Sequence, residues 1–404
     1  MSKWEWKKLG EVAKIYNGNS INANVKKERY SNVESGFPFI ATKDVGNDSE
    51  VDYENGIRIP FEEAGFKVAR KDTVLICAEG GSAGKKKCIL NEDVCFGNKL
   101  FAIDYNREKL IGKFVFYYTF EQSFTDEFQK LLSGIIGGVS SAKFKEIQIP
   151  IPPLSEQNRI VKFLDEEFSK IDTLKTNTET NLKNAKALYQ KNLDKIIEDE
   201  CRRYTLTSLK EITTKIGSGA TPKGGKKSYQ TEGISLIRSM NVLYGSFSYD
   251  NLAHINEKQA KALNGVAIQC ADVLFNITGA SIARCCVVPD DVIPARVNQH
   301  VSILRPIQKV LNSDYLSVVL LASQNQKKLL DIGEAGATRQ ALTKGNLEVF
   351  QIPLPPLSVQ KEIVARLDKL SENVKRLEAN YKQIIADCDE LKKSILKKTF
   401  EGES

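Results

Sequence analysis

The chain writes Ile149-Pro150-Ile151-Pro152-Pro153-Leu154-Ser155-Glu156-Gln157 twice, with small changes. About two hundred positions later stands Ile352-Pro353-Leu354-Pro355-Pro356-Leu357-Ser358-Val359-Gln360. "NRIVKFLD" follows the first copy and "KEIVARLD" the second. Prolines stop a helix from extending backwards, and a serine hydroxyl can accept from the orphan amides of a first turn. Each copy therefore predicts a helix start, with Ser155 and Ser358 as N-caps.

Working outward, the rest of each half matches too. "KKLGEVAKIYNGNS" (Lys7 to Ser20) answers "TSLKEITTKIGSGATP" (Thr207 to Pro222), and "GFPFIATKDV" (Gly36 to Val45) answers "GISLIRSMNV" (Gly233 to Val242). "VLICAEGGSAGKKKCIL" (Val74 to Leu90) matches "VLFNITGASIARCCVV" (Val273 to Val288), and "GNKLFAI" matches "VNQHVSIL". Two units this long are not a solenoid. They are a tandem duplication of a domain and its tail.

The texture of each half changes once. The first part has short apolar runs such as Val74-Leu75-Ile76 between glycines, which reads as strands and loops. A helix is predicted before each proline knot, around Phe114 to Leu132 and Tyr315 to Leu330. After the knots no proline occurs from Ser155 to Thr221 or from Ser358 to the end. Apolar residues alternate four and three apart from Ile363 through Leu367, Leu370, Val374, Leu377, Tyr381, Ile384, Cys388 and Leu391 to Ile395, a coiled-coil seam. A similar seam runs from Val161 through Leu164, Phe168, Ile171, Leu182, Ala185 and Tyr189 to Ile196, interrupted by Lys175 and Thr178. Helices of about 40 residues would each be roughly 60 Å long and would most simply pack on each other.

With 404 residues, 41% hydrophobic and 27% charged, the chain has the balance of a globular rather than a disordered protein. No apolar run approaches the roughly 20 residues of a membrane span, and the N-terminus, MSKWEWKKLG, lacks the apolar core of a secretion signal. Eight cysteines without a C-x-x-C spacing, and two histidines, leave little for a metal site. Buried free thiols in a reducing cytoplasm are expected. A net charge of +7 is compatible with a polyanionic partner.

Catalytic motifs are missing. "GGSAGKKK" (Gly80 to Lys87) has three residues between its glycines where a phosphate loop has four, and no Lys-Ser or Lys-Thr follows. The Pro-Pro pairs, Pro152-Pro153 and Pro355-Pro356, are preceded by Ile151 and Leu354, not by the Asn or Asp that would hold a flipped adenine. Two histidines in unmatched positions give no triad. No enzyme activity is expected of the chain itself.

Two variable domains, each closed by "IPIPPLSEQ" or "IPLPPLSVQ" and a long helix, with small-residue turns "GGSAG", "GASIA" and "GSGATPK", resemble the specificity subunit of Type I restriction-modification systems. The likeness covers essentially the whole chain. It implies an α+β fold: target recognition domains of mixed α/β structure at 1–152 and 204–355, and spacer helices at 153–203 and 356–404. The helices would form an antiparallel coiled coil in a pseudo-two-fold repeat. Each domain would read one half of a bipartite, asymmetric site in double-stranded DNA. Two modification subunits carrying S-adenosylmethionine would dock on the chain and methylate adenine N6. Restriction subunits, where present, would bring ATP and Mg, and no cofactor would be bound by this chain. A coiled-coil scaffold with two protein-binding domains is the rival reading, but it leaves the divergence of loops on a shared framework without a purpose.

DNA readers take affinity from phosphate contacts and sequence from base edges. Phosphate candidates are Lys26, Lys85, Lys86, Lys87, Lys223, Lys226 and Lys227. Base-edge candidates are Asn17, Asn19, Arg238, Gln299, Arg339 and Gln340, since Arg suits guanine and Asn or Gln suits adenine.

Overall fold

The structure is a computed structural model and describes residues 4–134, 137–334 and 340–401. The chain divides into two compact units: Met1–Thr178 with Gln383–Ser404, and Glu179–Lys382.

The strands of the first unit are β1 (Glu5–Lys8), β2 (Ala13–Asn17), β3 (Phe37–Ile40), β4 (Arg58–Ile59), β5 (Val68–Ala69), β6 (Val74–Cys77), β7 (Lys87–Ile89), β8 (Val94–Phe96), β9 (Leu100–Tyr105) and β10 (Gln148–Ile151). They form an antiparallel sheet in the order β2-β9-β6-β7, a second sheet β4-β3-β8-β5 in which β3 and β8 run parallel, and the pair β1-β10. β6 shows why the apolar run is continuous. Val74 and Ile76 enter one core cluster while Leu75 and Cys77 enter another, so both faces of the strand are covered.

The second unit repeats the plan with β11 (Leu206–Ser208), β12 (Thr213–Ser218), β13 (Ile234–Ile237), β14 (Ala253–Ile255), β15 (Val273–Asn276), β16 (Cys285–Val287), β17 (Ala295–Val297), β18 (Val301–Pro306) and β19 (Gln351–Pro353). Its sheets are β12-β18-β15-β16, β14-β13-β17 and β11-β19. The place of β5 is held by a bridge between Ala267 and Arg296.

The proline knots are strands. β10 pairs with β1, setting Trp6 opposite Pro150, and β19 pairs with β11, setting Leu206 opposite Pro353. A two-stranded ribbon leaves an open edge, where a residue without an N–H does least harm. The long helices follow at once, as Leu154–Arg203 and Leu357–Glu401. They begin one residue before the expected serine caps. The carbonyl of Pro153 accepts from the amides of Glu156 and Gln157, and that of Pro356 from Val359 and Gln360. Pro153 and Pro356, not Ser155 and Ser358, occupy the capping place, where the missing N–H of proline costs nothing.

The residues that fasten domain to helix are two fully buried glutamines. Gln157 Oε1 accepts from the amide of Ile111 at 2.9 Å, while its Nε2 donates to the carbonyls of Lys109 and Pro152 at 2.7 and 2.9 Å. Gln360 does the same to Asn312, Val310 and Pro355, at 2.8 Å each.

The helices predicted before the knots are each broken in two, Gly112–Tyr118 with Gln122–Leu131, and Ser313–Leu321 with Ser323–Glu334. Side chains make the breaks. Glu121 accepts from the amide of Ser123 to start a new helix, and buried Asn325 donates to the carbonyl of Val319 to end the old one.

The heptad seams are partly apolar core and partly surface. In the first unit Ile160, Leu164, Leu396 and Phe400 join one cluster with Phe114, Tyr118 and Phe124. Lys392 pairs with Asp172 at 2.5 Å and Lys175 with Asp389 at 2.7 Å, so the two helix segments run antiparallel there. In the second unit Leu193, Ile197, Ile363 and Leu367 join the core beneath Tyr315. Leu377 and Leu391, seam residues by spacing, stand 36% and 48% exposed. All eight cysteines are free thiols, but Cys270 is exposed and Cys201 half-buried, against the expectation that all are interior.

Candidate nucleic-acid interface

One edge of each unit gathers three loops: the one after its first long strand, the turn after its central strand, and the residues just before its longest strand. Backbone hydrogen bonds hold them in the same way in both units. In the first, the amide of Gly84 donates to Cys77 at 2.8 Å, Ala83 to Gly80 at 3.0 Å, Gly80 to Gly137 at 2.8 Å and Ala78 to Lys99 at 2.8 Å. In the second, Ala283 donates to Asn276 at 2.9 Å, Ile282 to Gly279 at 3.0 Å, Gly279 to Gln340 at 3.2 Å and Ile277 to His300 at 3.0 Å. Gly84 and Ala283 even share the left-handed conformation, at φ 71° and 65°.

Gly18 and Gly219 open the first loop of each unit by crossing the neighbouring chain without room for a side chain. A Cβ would lie 1.9 Å from the carbonyl oxygen of Phe96 at Gly18, and 1.7 Å from that of Val297 at Gly219. Only glycine permits this approach. The framework is common; its decoration is not.

In the first unit Asn17 donates to the carbonyl of Asn98 at 2.9 Å. Asn19 is engaged on both ends, donating to Gly65 at 2.9 Å and accepting from the amide of Lys67 at 2.8 Å, so it shapes the loop. Lys85 is exposed, and half-buried Lys86 donates to the carbonyl of Thr42 at 3.1 Å. Lys26 lies in the helix Ala23–Tyr30 with its ammonium 4.4 Å from the Phe39 ring, and burial lowers its pKa from the usual lysine value.

Lys87 departs from the expected phosphate contact. It is the first residue of β7, 4% exposed, donating to the carbonyl of Thr119 with its ammonium 4.4 Å from the Phe120 ring. Burial pulls its pKa down to about 7. An ammonium so enclosed cannot reach a phosphate without unpacking the helix above it. Strand pairing sets Lys87 opposite Ile76, as Cys285 stands opposite Phe275, so the turn of the second unit is one residue shorter.

In the second unit the loops are tied by side chains. Thr221 donates to Gln299, Gln299 Nε2 lies 3.0 Å from His300 Nε2, and His300 Nδ1 lies 2.6 Å from Thr278 Oγ1. Lys223 and Lys227 are exposed on the loop that Thr221 anchors. Exposed Gln340 donates to Glu334 at 2.9 Å. Arg238 donates to the carbonyl of Asn251, with its guanidinium 5.5 Å from the Tyr229 ring, while its neighbours Ile237 and Ser239 accept from Asn298 and Asn276. Arg339 and the side chain of Lys226 lie outside the described residues.

The structure adds basic residues to the candidate contacts. Arg284 reaches over the exposed ring of Tyr244 at 5.4 Å. Lys210, Lys215 and Lys344 line an open groove along β12. Lys344 joins Lys210 and Lys215 there from far along the chain, so no local pattern in the sequence announces the group.

Comparison with known proteins places this architecture. The family described as "Type I restriction modification DNA specificity domain" matches residues 1–184 and again 202–386. The chain is 24% identical to the Type I restriction enzyme EcoBI specificity subunit of Escherichia coli, over 98% of this chain and 85% of that one. It is 20% identical to the MjaVIII specificity subunit of Methanocaldococcus jannaschii, over 99% and 92%. Among solved structures, the HsdS subunit from Thermoanaerobacter tengcongensis shares its fold at a TM-score of 0.65 and 20% identity, covering 100% of this chain and 98% of that one. A chain from a structure on complex assembly and conformational transition of the type I R-M system aligns at a TM-score of 0.77 and 20% identity, over 99% and 98%. With two copies of the family's domain spanning nearly its whole length, the chain belongs to the Type I restriction-modification DNA specificity subunits, the non-catalytic, sequence-reading members of those systems.

Proposed function

We propose that each unit presents its three-loop edge to double-stranded DNA and reads one half of a bipartite, asymmetric site. The observation that carries this is the pairing of a shared backbone framework with unlike side chains on the same edge. A duplication kept only for folding gives no reason for matched backbone positions on that edge to carry such different polar groups.

In this reading residues 1–152 and 204–355 are the recognition domains, and 153–203 and 356–404 the spacer. The exposed lysines Lys85, Lys223 and Lys227 take phosphates, while Asn17, Gln299 and Gln340 face base edges. Lys210, Lys215 and Lys344 extend the basic surface of the second unit. Two modification subunits dock on the chain and bring S-adenosylmethionine; restriction subunits, where present, bring ATP and Mg. The chain binds neither cofactor and works in the cytoplasm.

Binding selection from random duplexes by the chain assembled with its modification subunits tests the proposal. A two-part motif with an unspecified gap is expected. Retention of DNA without any sequence preference would reject it, as would assembly with no affinity for DNA.

A further inference from the structure

Within the shared framework, one side-chain pair is replaced as a pair. Glu79 and Lys99 form an ion pair at 3.2 Å in the first unit, bridging the turn after β6 to the residues before β9. The backbone places Thr278 and His300 at the same two positions in the second unit, where they also touch, at 2.6 Å. The equivalence is fixed by matched backbone contacts. Ala78 donates to Lys99 as Ile277 donates to His300, and Glu79 bridges Gly138 as Thr278 bridges Ala341.

The fold does not require either chemistry. Glu79 and Lys99 are 43% and 58% exposed, and an exposed ion pair contributes little to stability. That an uncharged hydroxyl and an imidazole serve in the same frame makes the same point. The pair lies on the edge where the loops gather, beside Asn98 in one unit and Gln299 in the other.

A carboxylate facing DNA is repelled by phosphates unless a cation accompanies it, and Lys99 is that cation. Carboxylates accept from the cytosine N4 amine, and lysine donates to guanine O6 and N7. Together the two side chains match the two partners of a single base pair. Thr278 and His300 cannot offer that charge pattern.

We infer that Glu79 with Lys99, and Thr278 with His300, are the equivalent base-reading pairs of the two units, Glu79 and Lys99 being matched to a C·G base pair. This rests on the DNA-reading function proposed above, and deepens it to a named position in each half-site.

The test uses the full chain assembled with its modification subunits and selection from random duplexes, comparing wild type with the double variant Glu79→Thr, Lys99→His. The variant is expected to lose its preference for C·G at one position of one half-site by about tenfold or more. The other half-site and the gap stay as in wild type. If wild type itself selects no sequence, the DNA-reading proposal fails. If wild type selects a two-part motif and the variant selects the same one, only the inference fails. Should the double variant not assemble, Lys99→Met decides, since it keeps the aliphatic stem and removes the charge. Relaxed preference at one base pair supports the inference. Equal weakening on all sequences, with a shallower salt dependence, makes Lys99 a phosphate contact and overturns it.

Discussion

At the scale of single residues, the glutamines that close the two knots hold more of the structure than their flanking residues suggest. Truncating Gln157 to Ala removes the partner of the amide of Ile111 and of the carbonyls of Lys109 and Pro152, of which that of Pro152 is buried. Each orphaned group costs about 1–3 kcal/mol, so a loss of about 3 kcal/mol is expected. Denaturant unfolding of the first unit measures it, and a change under about 0.5 kcal/mol would refute the clamp. The glutamine was present in both copies of the repeat; its importance was hidden by the more familiar serine before it. Lys87 is hard to place from the sequence for a related reason. Three consecutive lysines look like one solvated run, yet the third already belongs to β7, where alternate side chains point inward. Its burial has a pH signature. Folded Lys87 loses its proton near 7 while the unfolded chain keeps it to about 10.5, so between those values the unfolded state binds more protons. Stability then rises with pH across that window, by up to about 1.4 kcal/mol per unit. Wild type should gain on Lys87→Met between pH 7 and pH 9 in urea unfolding. A difference that does not change with pH would contradict the burial.

At the scale of elements, the heptad spacing predicted the long helices and much of their inner face, but it marked more residues as core than are buried. Spacing reports which residues share a stripe; how much of the stripe is covered depends on what packs there. Leu367 is 1% exposed and lies in the core of the second unit, whereas Leu377 has the same spacing and stands 36% exposed. Leu367→Ala should cost about 2–5 kcal/mol. Leu377→Ala should cost about 0.5 kcal/mol or less in the chain alone. Thermal unfolding of the two variants, side by side, checks the difference, and equal losses would restore the uninterrupted seam. The broken helices before the knots were illegible for another reason. Glu121 begins one helix and Asn325 ends another through hydrogen bonds to particular backbone groups. Apolar periodicity alone does not register such bonds.

At the scale of the whole molecule, the repeat was the most legible feature, because duplication preserves framework residues such as Gly18 and Gly219 where a side chain has no room. The reading surface was the least legible, because its residues come from loops far apart in sequence and are the ones that diverge. The long helices, of 50 and 45 residues, are about 75 and 68 Å at 1.5 Å per residue. If they space the recognition domains, four residues inserted between 176 and 180 add about 6 Å of rise. The gap in the methylated motif should lengthen by about one or two base pairs, with both half-sites unchanged, and an unchanged gap at full activity would refute the spacer. Two units that read independently can be exchanged independently, by replacing residues 1–150 with the equivalent part of a related specificity subunit. The methylated motif is then read by genome-wide adenine methylation sequencing. One half of the motif should change while the other half is retained; a change in both halves, or in neither, would contradict the account.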